Sequence, residues 1–294
     1  MRFARYAIEG RAGFAASGSD GRFAGLFEDE AGGAGALVAA LAGGSDTLGQ
    51  LRARLLGGRT IDLDAVEVLP PIPNPSKIIC VGLNYADHTA ESGFAKQPDY
   101  PTLFGRFASS LVGHKAPMIR PRVSEQLDYE GEIVAVIGRG GRHIPKARAL
   151  DHVAGYALFN EGSVRDYQFK APQWTVGKNF DGTGAFGPCL VTADALPPGC
   201  KGLRLQTRLN GAVVQDASTD DMVFDVATLV ATISEAITLN SGDLIVTGTP
   251  SGVGLARKPP LFLKPGDVCE VEVEGLGVLV NPVEDEAGAR RAAA

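Results

Sequence analysis

From residue 78 onward the sequence is dominated by short runs of β-branched and other apolar residues separated by turns. These runs are KIICVGLNY, GEIVAVIGR, AGYALFNE, GPCLVTA, LRLQTRLNG, DLIVTGTP and CEVEVEG. β-branched residues and alternating hydrophobicity are typical of strands rather than helices. Helical spacing is clear over 225–239, where apolar residues recur every three or four positions. Because strand follows strand with few helices between, we predict a β-rich α+β fold rather than an alternating βαβ fold.

Residues 1–70 differ from the rest of the chain. They contain a strand-like start, FARYAIEG, then Gly-rich turns and a short helical patch over 35–51. The Pro-rich segment LPPIPNPSK (69–77) follows, and proline clusters of this kind are typical of a domain edge. We therefore expect a small N-terminal domain over 1–70, a main domain over 71–284 and a frayed tail over 285–294.

Composition excludes several classes of protein. The 294 residues carry 28 basic and 34 acidic side chains, a net charge of −6, which argues against nucleic acid as the main partner. The longest weakly polar stretch, GAGALVAALAGG, is too short and too rich in glycine to span a bilayer. The N-terminus, MRFARYAIEG, has no apolar stretch behind its charges, so no secretory signal is expected.

The four cysteines lie far apart and form no CxxC pair. A zinc site built on cysteine is therefore unsupported. Cys80 and Cys269 lie in apolar, strand-like runs and are expected to be buried thiols. Sparse, unpaired cysteines favour the reducing cytoplasm as the location of the protein.

Two glutamates begin the strand-like run DYEGEIVAVIG (128–138). On a strand, residues two apart share a face, so Glu130 and Glu132 line up with Val134 and Val136. A face that continues as valine leads into a core or a cavity wall. Taking unpaired charges out of water costs several kcal/mol per ion, and two like charges together raise that cost. A divalent cation between them would remove both costs.

Glu161 provides a third carboxylate. The apolar run AGYALFNEG (154–162) ends in Asn160 and Glu161, and Gly162 permits a turn there. Three carboxylates without a neighbouring histidine or cysteine favour a hard ion, Mg²⁺ or Mn²⁺, with Ca²⁺ also possible. The alternative is a solvated strand edge, because Glu-x-Glu is common and CEVEVEG (269–275) repeats it in what we expect to be an exposed strand.

His88 and Glu91 lie three residues apart, and on a helical turn that spacing places both on one face. A carboxylate beside an imidazole orients it, which is the arrangement of a base that activates water. The alternative is an incidental ion pair on a surface helix. Lys178, in TVGKNFDG, has the charge to stabilise an enolate or oxyanion, or else lies on a surface loop.

Two glycine-rich segments resemble nucleotide-binding motifs in letters only. GTGAFG (182–187) is followed at once by Pro188 and a strand-like run, so the helix of a dinucleotide-binding turn is absent from the pattern. GTPSGVG (248–254) lacks the GK[ST] ending of a phosphate loop. We interpret it as a turn after a strand, with Thr249 offering a hydroxyl.

Over about 78–283 the chain resembles the fumarylacetoacetate hydrolase superfamily. The matching segments occur in the family's order and are VGLNYADHTAESG, LFGRFASSLVG, DYEGEIVAVIGR, HVAGYALFNEGSVRDYQ, GKNFDGTGAFGP, DLIVTGTPSGVG and EVEGLGVLVNPV. The resemblance implies a mixed β-roll, the fold of the family's C-terminal domain, with a small N-terminal domain, usually in a homodimer. It makes residues 71–284 the catalytic, metal-binding domain.

The resemblance also assigns roles to residues. The metal ligands would be Glu130, Glu132 and Glu161. His88 and Glu91 would form a catalytic pair on a lid, and Lys178 would be the catalytic lysine. The positions near the substrate would be Arg106, Arg165, Gln168 and Thr249.

The family's reactions imply a divalent-metal-dependent hydrolase that cleaves a C–C bond in a small β-dicarbonyl oxo-acid. Acylpyruvates, fumarylpyruvate and 2,4-diketo-3-deoxy sugar acids belong to this class. The first alternative is a decarboxylase or tautomerase of oxo-acids such as oxaloacetate. The second is a metal-stabilised binding protein without chemistry, and the intact set of His88, Glu91 and Lys178 argues against it.

The sequence departs from the family pattern at three places. Glu161 stands where the family usually has Asp, and its longer arm would shift the ion or select a different substrate geometry. LFGRFASS has Arg106 and Phe107 where the family usually has Lys and Pro. Arginine there would favour bidentate binding of a carboxylate. Residues 1–70 match the family only weakly.

Overall fold

The computed structural model describes residues 1–91 and 97–287. Its helices are α1 (Glu28–Ala31), α2 (Ala36–Ala42), α3 (Ser45–Leu56), α4 (Ala86–Glu91), α5 (Arg165–Gln168) and α6 (Val226–Ala236). Its strands are β1 (Arg2–Ile8), β2 (Arg11–Ser17), β3 (Phe23–Phe27), β4 (Arg59–Ile61), β5 (Glu67–Leu69), β6 (Ile78–Gly82), β7 (Thr102–Arg106), β8 (Leu111–Val112), β9 (Met118–Arg120), β10 (Leu127–Asp128), β11 (Gly131–Ile137), β12 (Val153–Glu161), β13 (Ser163–Val164), β14 (Gly184–Thr192), β15 (Arg204–Leu209), β16 (Ala212–Ser218), β17 (Leu244–Val246), β18 (Val268–Val273) and β19 (Gly277–Asp285). Each of the seven strand-like runs forms a strand, as the sequence predicts.

The strands form a large mixed sheet, a smaller mixed sheet and one two-stranded pair. The large sheet has the order β4-β3-β2-β1-β14-β12-β11-β17-β6-β7, with β5 on β1 and β8 on β14. Its pairs β17–β6 and β14–β8 are parallel. The smaller sheet has the order β16-β15-β18-β19-β9, and β10 pairs with β13. The predicted β-rich α+β class with mixed sheets is confirmed.

β11 lies in the large sheet with both faces covered. Ile133 packs in the same apolar cluster as Val271 of the smaller sheet. Val134 and Val136, on the opposite face, pack in the cluster that contains Leu55 of α3. A strand covered on both faces gives its polar side chains no direct route to water. The position of Glu130 and Glu132 at the start of this strand therefore decides their burial.

The N-terminal segment contributes to the large sheet. Phe3 of β1 pairs with Leu190 of β14, so β1 to β5 extend the sheet that carries the glutamates. The predicted helical patch over 35–51 forms α2 and α3. The second helix continues to Leu56 because its buried leucines repeat at helical spacing as far as Leu55.

α6 and the C-terminus differ slightly from their predicted bounds. The helix expected over 225–239 begins after Asp225, whose side chain caps it by accepting a hydrogen bond from Thr228 N at 2.8 Å. It ends at Ala236, because Ile237 already has an extended backbone. The expected tail at 285–294 begins inside β19, and residues 288–294 lie outside the described ranges. None of the described helices has the length and apolar character needed to cross a membrane.

Candidate metal centre and cavity

The three glutamates predicted as metal ligands converge in the structure. β11 and β12 pair antiparallel with Gly131 opposite Asn160, and Glu161 N donates to Glu130 O at 2.8 Å. This register places Glu161 beside Glu130 and Glu132. Each of the three offers a carboxylate oxygen, and these oxygens lie within 4.8 Å of one another in a buried site. Separate strands therefore bring one oxygen-rich cluster together.

The Glu-x-Glu pattern occurs twice, with opposite outcomes. In β18 the side chains of Glu270 and Glu272 are 27% and 43% exposed and pair with Arg208 at the surface. Glu130, directly before β11, and Glu132, within it, are only 4% and 1% exposed. Within 269–275, Glu270 and Glu272 therefore lie on the partly exposed face of β18, whose other face is buried, whereas a solvated edge is excluded for Glu130 and Glu132. The difference comes from the layers that cover both faces of β11.

Gly131 allows this close packing. A Cβ atom on it would lie 2.1 Å from Thr207 Oγ1 of β15, a separation that real Cβ atoms do not show. Its amide donates to Gln215 Oε1 at 2.9 Å. The glycine between the two glutamates therefore lets the smaller sheet contact the backbone that carries them.

Lys178 neutralises part of the cluster. Its Nζ atom lies 2.8 Å from Glu130 Oε2 and 2.9 Å from Glu161 Oε2. Burial opposes its charge, but these two carboxylates raise the pKa of Lys178 above its ordinary value. The alternative of a lysine on an exposed loop is therefore excluded. The two contacts use two of the three N–H donors of the ammonium group.

Of the three glutamates, Glu130 has its negative charge most fully balanced by cationic neighbours. Its Oε1 atom lies 2.7 Å from Arg165 Nη1 and accepts a hydrogen bond from Ser163 Oγ at 2.9 Å. Burial opposes its ionisation, yet Lys178 and Arg165 outweigh burial and hold the pKa of Glu130 well below its usual range. Glu130 is therefore charged in the folded chain.

Glu132 has the opposite environment. It accepts a hydrogen bond from Gly248 N, but burial, with Glu161 and Glu130 nearby, raises its pKa well above the ordinary value. Glu161 also lacks a hydrogen-bond donor, since its buried Oε1 atom accepts no hydrogen bond from the described residues. A buried oxygen cluster with excess negative charge and a spare lone pair suits a hard divalent cation. The donor set therefore fits the metal that the sequence predicts.

A cavity of about 160 Å³ lies beside the cluster. One part of its wall is polar and consists of His88, Glu130, Arg165, Gln168 and Lys178. The rest is largely apolar and consists of Gly82, Leu83, Phe169, Trp174, Val253, Leu255 and Ala256. A small ligand in this cavity would place its charged groups against the polar part of the wall.

His88 and Glu91 form the pair expected from their spacing. Both lie on α4, and His88 Nδ1 is 2.8 Å from Glu91 Oε1. The pair is not a surface contact, because the His88 side chain is buried at the cavity. Gly252 N donates to both carboxylate oxygens of Glu91, at 3.1 and 2.9 Å.

Asp128 is a site residue that sequence reasoning missed. It is fully buried and accepts a hydrogen bond from Arg165 Nε at 2.7 Å. It also accepts from Gly254 N at 2.7 Å and Leu255 N at 2.9 Å. The signal was present, because Asp128 lies two residues before Glu130. Arg165 in turn donates to Gln168 Oε1 at 2.9 Å, so the structure brings these two predicted substrate contacts together.

Arg106 and Thr249 do not reach the cavity, although both were predicted near the substrate. The buried guanidinium of Arg106 donates to Ser110 Oγ, Gly162 O and Thr183 Oγ1, at 2.9, 3.2 and 2.7 Å. Its Nη1 atom lies 3.8 Å from Glu161 Oε1. These contacts favour a supporting role at the glutamates rather than bidentate binding of a substrate carboxylate.

The hydroxyl of Thr249 is likewise hydrogen-bonded to other residues of the protein. Its hydroxyl accepts from Gln215 Nε2 at 2.8 Å and donates to Gly131 O at 3.0 Å. It therefore fixes the backbone between Glu130 and Glu132.

The four cysteines are all buried free thiols, as expected for Cys80 and Cys269.

Comparisons with known proteins agree with this architecture. Residues 77–284 match the family model described as fumarylacetoacetate (FAA) hydrolase C-terminal. The mitochondrial oxaloacetate tautomerase of Xenopus laevis is 45% identical over 220 residues, which are 74% of this chain and 68% of the relative.

Solved structures extend the likeness to nearly the whole chain. A fumarylacetoacetate hydrolase from Exiguobacterium antarcticum superposes with a TM-score of 0.81 at 36% identity, over 97% of this chain and all of the other. Maleylpyruvate hydrolase from a Sphingobium species, in complex with manganese(II) and pyruvate, gives a TM-score of 0.79 at 27% identity, over 97% and 99%. The chain belongs to the fumarylacetoacetate hydrolase superfamily.

Proposed function

We propose that this protein is a divalent-metal-dependent enzyme that interconverts the keto and enol forms of a small 2-oxo dicarboxylic acid, with oxaloacetate as the first candidate. The observation that carries the proposal is the polar wall of the cavity. There, cationic donors and an imidazole–carboxylate pair stand beside the cluster of three glutamates. The similarity to an oxaloacetate tautomerase supports the choice of reaction.

The charges of the wall suit a dicarboxylate. The Nη2 atom of Arg165 is buried and bonds to no described residue, although its other guanidinium nitrogens are bonded. A buried guanidinium N–H without a partner is a strong site for a carboxylate oxygen. Gln168 lines the same wall and holds the Arg165 side chain in place. These contacts would fix one end of the substrate.

The proton transfer is assigned to His88. Glu91 holds Nδ1 of the ring, which leaves Nε2 as the nitrogen that exchanges a proton. In the keto-to-enol direction His88 takes a proton from C3, the C–H electron pair becomes the C2–C3 double bond, and the carbonyl oxygen gains a proton. One proton leaves carbon and one reaches oxygen, so the reaction consumes nothing. The ammonium group of Lys178 lowers the cost of negative charge at that oxygen.

Glu130, Glu132 and Glu161 would hold the cation. When bound, a divalent cation supplies Lewis-acid polarisation of substrate oxygens. Mg²⁺ or Mn²⁺ is proposed from the all-oxygen donor set, with Ca²⁺ as the larger alternative. The Sphingobium structure holds manganese(II), which supports this class of ion for the fold.

Hydrolysis of a C–C bond is the second candidate. The same His88–Glu91 pair is the arrangement of a base that activates water. The maleylpyruvate hydrolase among the similar structures also supports it. Hydrolysis adds one water across the cleaved bond, whereas tautomerisation adds nothing, so the products separate the two reactions. A homodimer and a cytoplasmic location stay predictions.

The test follows the ultraviolet absorbance of enol-oxaloacetate in the presence of Mg²⁺ or Mn²⁺. The chain should accelerate the decay of the enol, without release of pyruvate or CO₂, and chelation should abolish the effect. Pyruvate released from an acylpyruvate would favour hydrolysis instead. CO₂ from oxaloacetate would indicate a decarboxylase. Metal binding without turnover of any oxo-acid would indicate a binding protein.

Matched variants separate the site from the fold. Glu161→Gln should lose activity and metal affinity, whereas Glu270→Gln, in the exposed Glu-x-Glu of β18, should keep both. His88→Ala should lose activity and keep the metal. Equal activity in Glu161→Gln and Glu270→Gln would refute the assignment of the glutamates.

A further inference from the structure

Gly252 connects the imidazole–carboxylate pair to the body of the protein. Its amide is bound by both oxygens of Glu91, at 3.1 and 2.9 Å. Its backbone φ is +101°, and a Cβ atom there would lie 2.2 Å from Val214 O of β16. Only glycine can therefore adopt this conformation so close to β16. The direction of its N–H bond depends on how firmly the surrounding loop is held.

One arginine holds the other side of Gly252. The carbonyl oxygen of Gly252 accepts hydrogen bonds from Arg257 Nε at 3.2 Å and from Tyr129 Oη at 3.1 Å. Arg257 Nη2 also donates to Val214 O at 2.6 Å, and its Nε lies 3.1 Å from Tyr129 Oη. A single guanidinium thus ties the loop to β16 and to the residue directly before Glu130.

The loop over 252–257 touches both halves of the candidate site. Near its middle, Gly254 N and Leu255 N donate to Asp128, which also binds Arg165. At its start, Gly252 N binds Glu91. The side chain of Arg257 binds the carbonyl of Gly252, which makes the second contact, whereas only its backbone N donates to Gly254 O, at 3.3 Å, near the first. A change of the Arg257 side chain keeps that backbone contact, so it should reach His88 through Glu91 rather than the dicarboxylate-binding wall through Asp128.

We propose that Arg257 is a positioning residue, which sets the orientation of the His88–Glu91 pair by fixing the Gly252 amide beneath it. The proposal rests on the proposed function for its kinetic consequences, and on the hydrogen-bond network alone for its structural ones. Arg257 does not line the cavity among the described residues, so it acts through Glu91 and not on the substrate. Small misplacements of a catalytic group lower the rate of the chemical step far more than binding.

Arg257→Gln is the variant to test, because glutamine keeps a single donor nitrogen and is too short to bind Gly252 O and Val214 O together. It should lower kcat by about 10- to 100-fold and change KM by less than about 3-fold. Arg257→Lys should fall between this variant and the wild type. Arg204→Gln is the matched control, since Arg204 is an exposed arginine paired with Asp216 and far along the chain from the loop. It should leave kcat unchanged.

A double-mutant cycle separates positioning from general damage. In a Glu91→Ala background there is no carboxylate left for Gly252 to hold, so adding Arg257→Gln should lower kcat by less than about 2-fold. Full additivity of the two losses would overturn the proposal, because the arginine would then act independently of Glu91.

Hydrogen–deuterium exchange gives a readout that does not need turnover. In Arg257→Gln the amides of Gly252 and of α4 should exchange faster, whereas β11 and β12 should exchange as in the wild type. Unchanged exchange at Gly252 and α4 would refute the proposal even if activity fell. If the protein turned over no oxo-acid at all, the proposed function would fail, and the exchange experiment would still decide the role of Arg257.

Discussion

Glu132 and Glu130 occupy the same strand face, yet their neutralisation should change stability in opposite directions. In the metal-free chain Glu130 compensates Lys178 and Arg165, whereas Glu132 receives one backbone hydrogen bond and faces two other carboxylates. Glu130→Gln removes the carboxylate that the two buried cations Lys178 and Arg165 share. Removing one partner of a buried pair costs about 3–5 kcal/mol.

Glu132→Gln instead removes a carboxyl group that burial and two neighbouring carboxylates make costly to ionise. Glutamine keeps an acceptor oxygen for Gly248 N, and its amide NH2 group faces the carboxylate of Glu161, whose buried Oε1 atom accepts no hydrogen bond from the described residues. Burying a polar group without its full set of hydrogen bonds costs about 1–3 kcal/mol, and more when the group is charged. We therefore expect the metal-free variant to gain on the order of 1–3 kcal/mol, whereas metal binding, which requires the charge, should be lost.

The sign of the pH dependence follows from the same shift. Because the pKa of Glu132 is raised in the folded chain, that chain keeps a proton which the unfolded chain releases above about pH 4.3. The contribution of Glu132 to metal-free stability is therefore fully present in acid and is lost as pH rises toward the raised pKa. Glu132→Gln should lack this loss.

Thermal unfolding with and without a chelator measures these effects. A difference of 1 kcal/mol shifts the Tm by roughly 2–4 °C in a protein of about this size. In the wild type, metal at 100 times its Kd should add about 2.7 kcal/mol, and in Glu132→Gln it should add nothing. A metal-free Glu132→Gln chain as unstable as Glu130→Gln, or one that metal still stabilises, would refute the charge argument.

Three further predictions use other parts of the molecule. Trp174 is the single tryptophan and lines the cavity, so pyruvate or oxalate with Mn²⁺ should change its fluorescence in the wild type but not in Glu161→Gln. Arg106→Met should weaken metal binding measured by calorimetry, because Arg106 supports Glu161, with little change in KM. Phe107 and Val176 are 57% and 60% exposed, and changing both to serine should shift the expected homodimer toward monomer in light scattering.

Much of the site follows from local sequence because its residues come from short segments. The period of a strand predicts that Glu130 and Glu132 share a face, and the turn of a helix predicts the contact of His88 with Glu91. Both predictions need only neighbours in the chain. Glu161 required the β11–β12 pairing, which the sequence alone does not give, and the family resemblance supplied it.

The features that local sequence could not predict depend on contacts between distant residues. The donors of Arg106 are taken by Gly162 and Thr183, which lie 56 and 77 residues away. The pairing of β1 with β14 spans still more of the chain, so the sequence could not show that residues 1–70 extend the main sheet. In both cases tertiary packing decides the outcome, and the local pattern carries no information about it.

Gly131 shows how such a distant contact can be tested. Gly131→Ala should push β11 away from β15, since its Cβ would meet Thr207 Oγ1 at 2.1 Å, and both glutamates would move with the strand. We expect weaker metal binding and a lower Tm. Thr207 Oγ1 is buried without a hydrogen-bond partner, so Thr207→Ala removes the obstacle and leaves no new unsatisfied group. The double variant should therefore recover part of the metal affinity, measured by calorimetry. If Thr207→Ala gave no rescue, the close approach of β15 would not be what fixes the position of the glutamates.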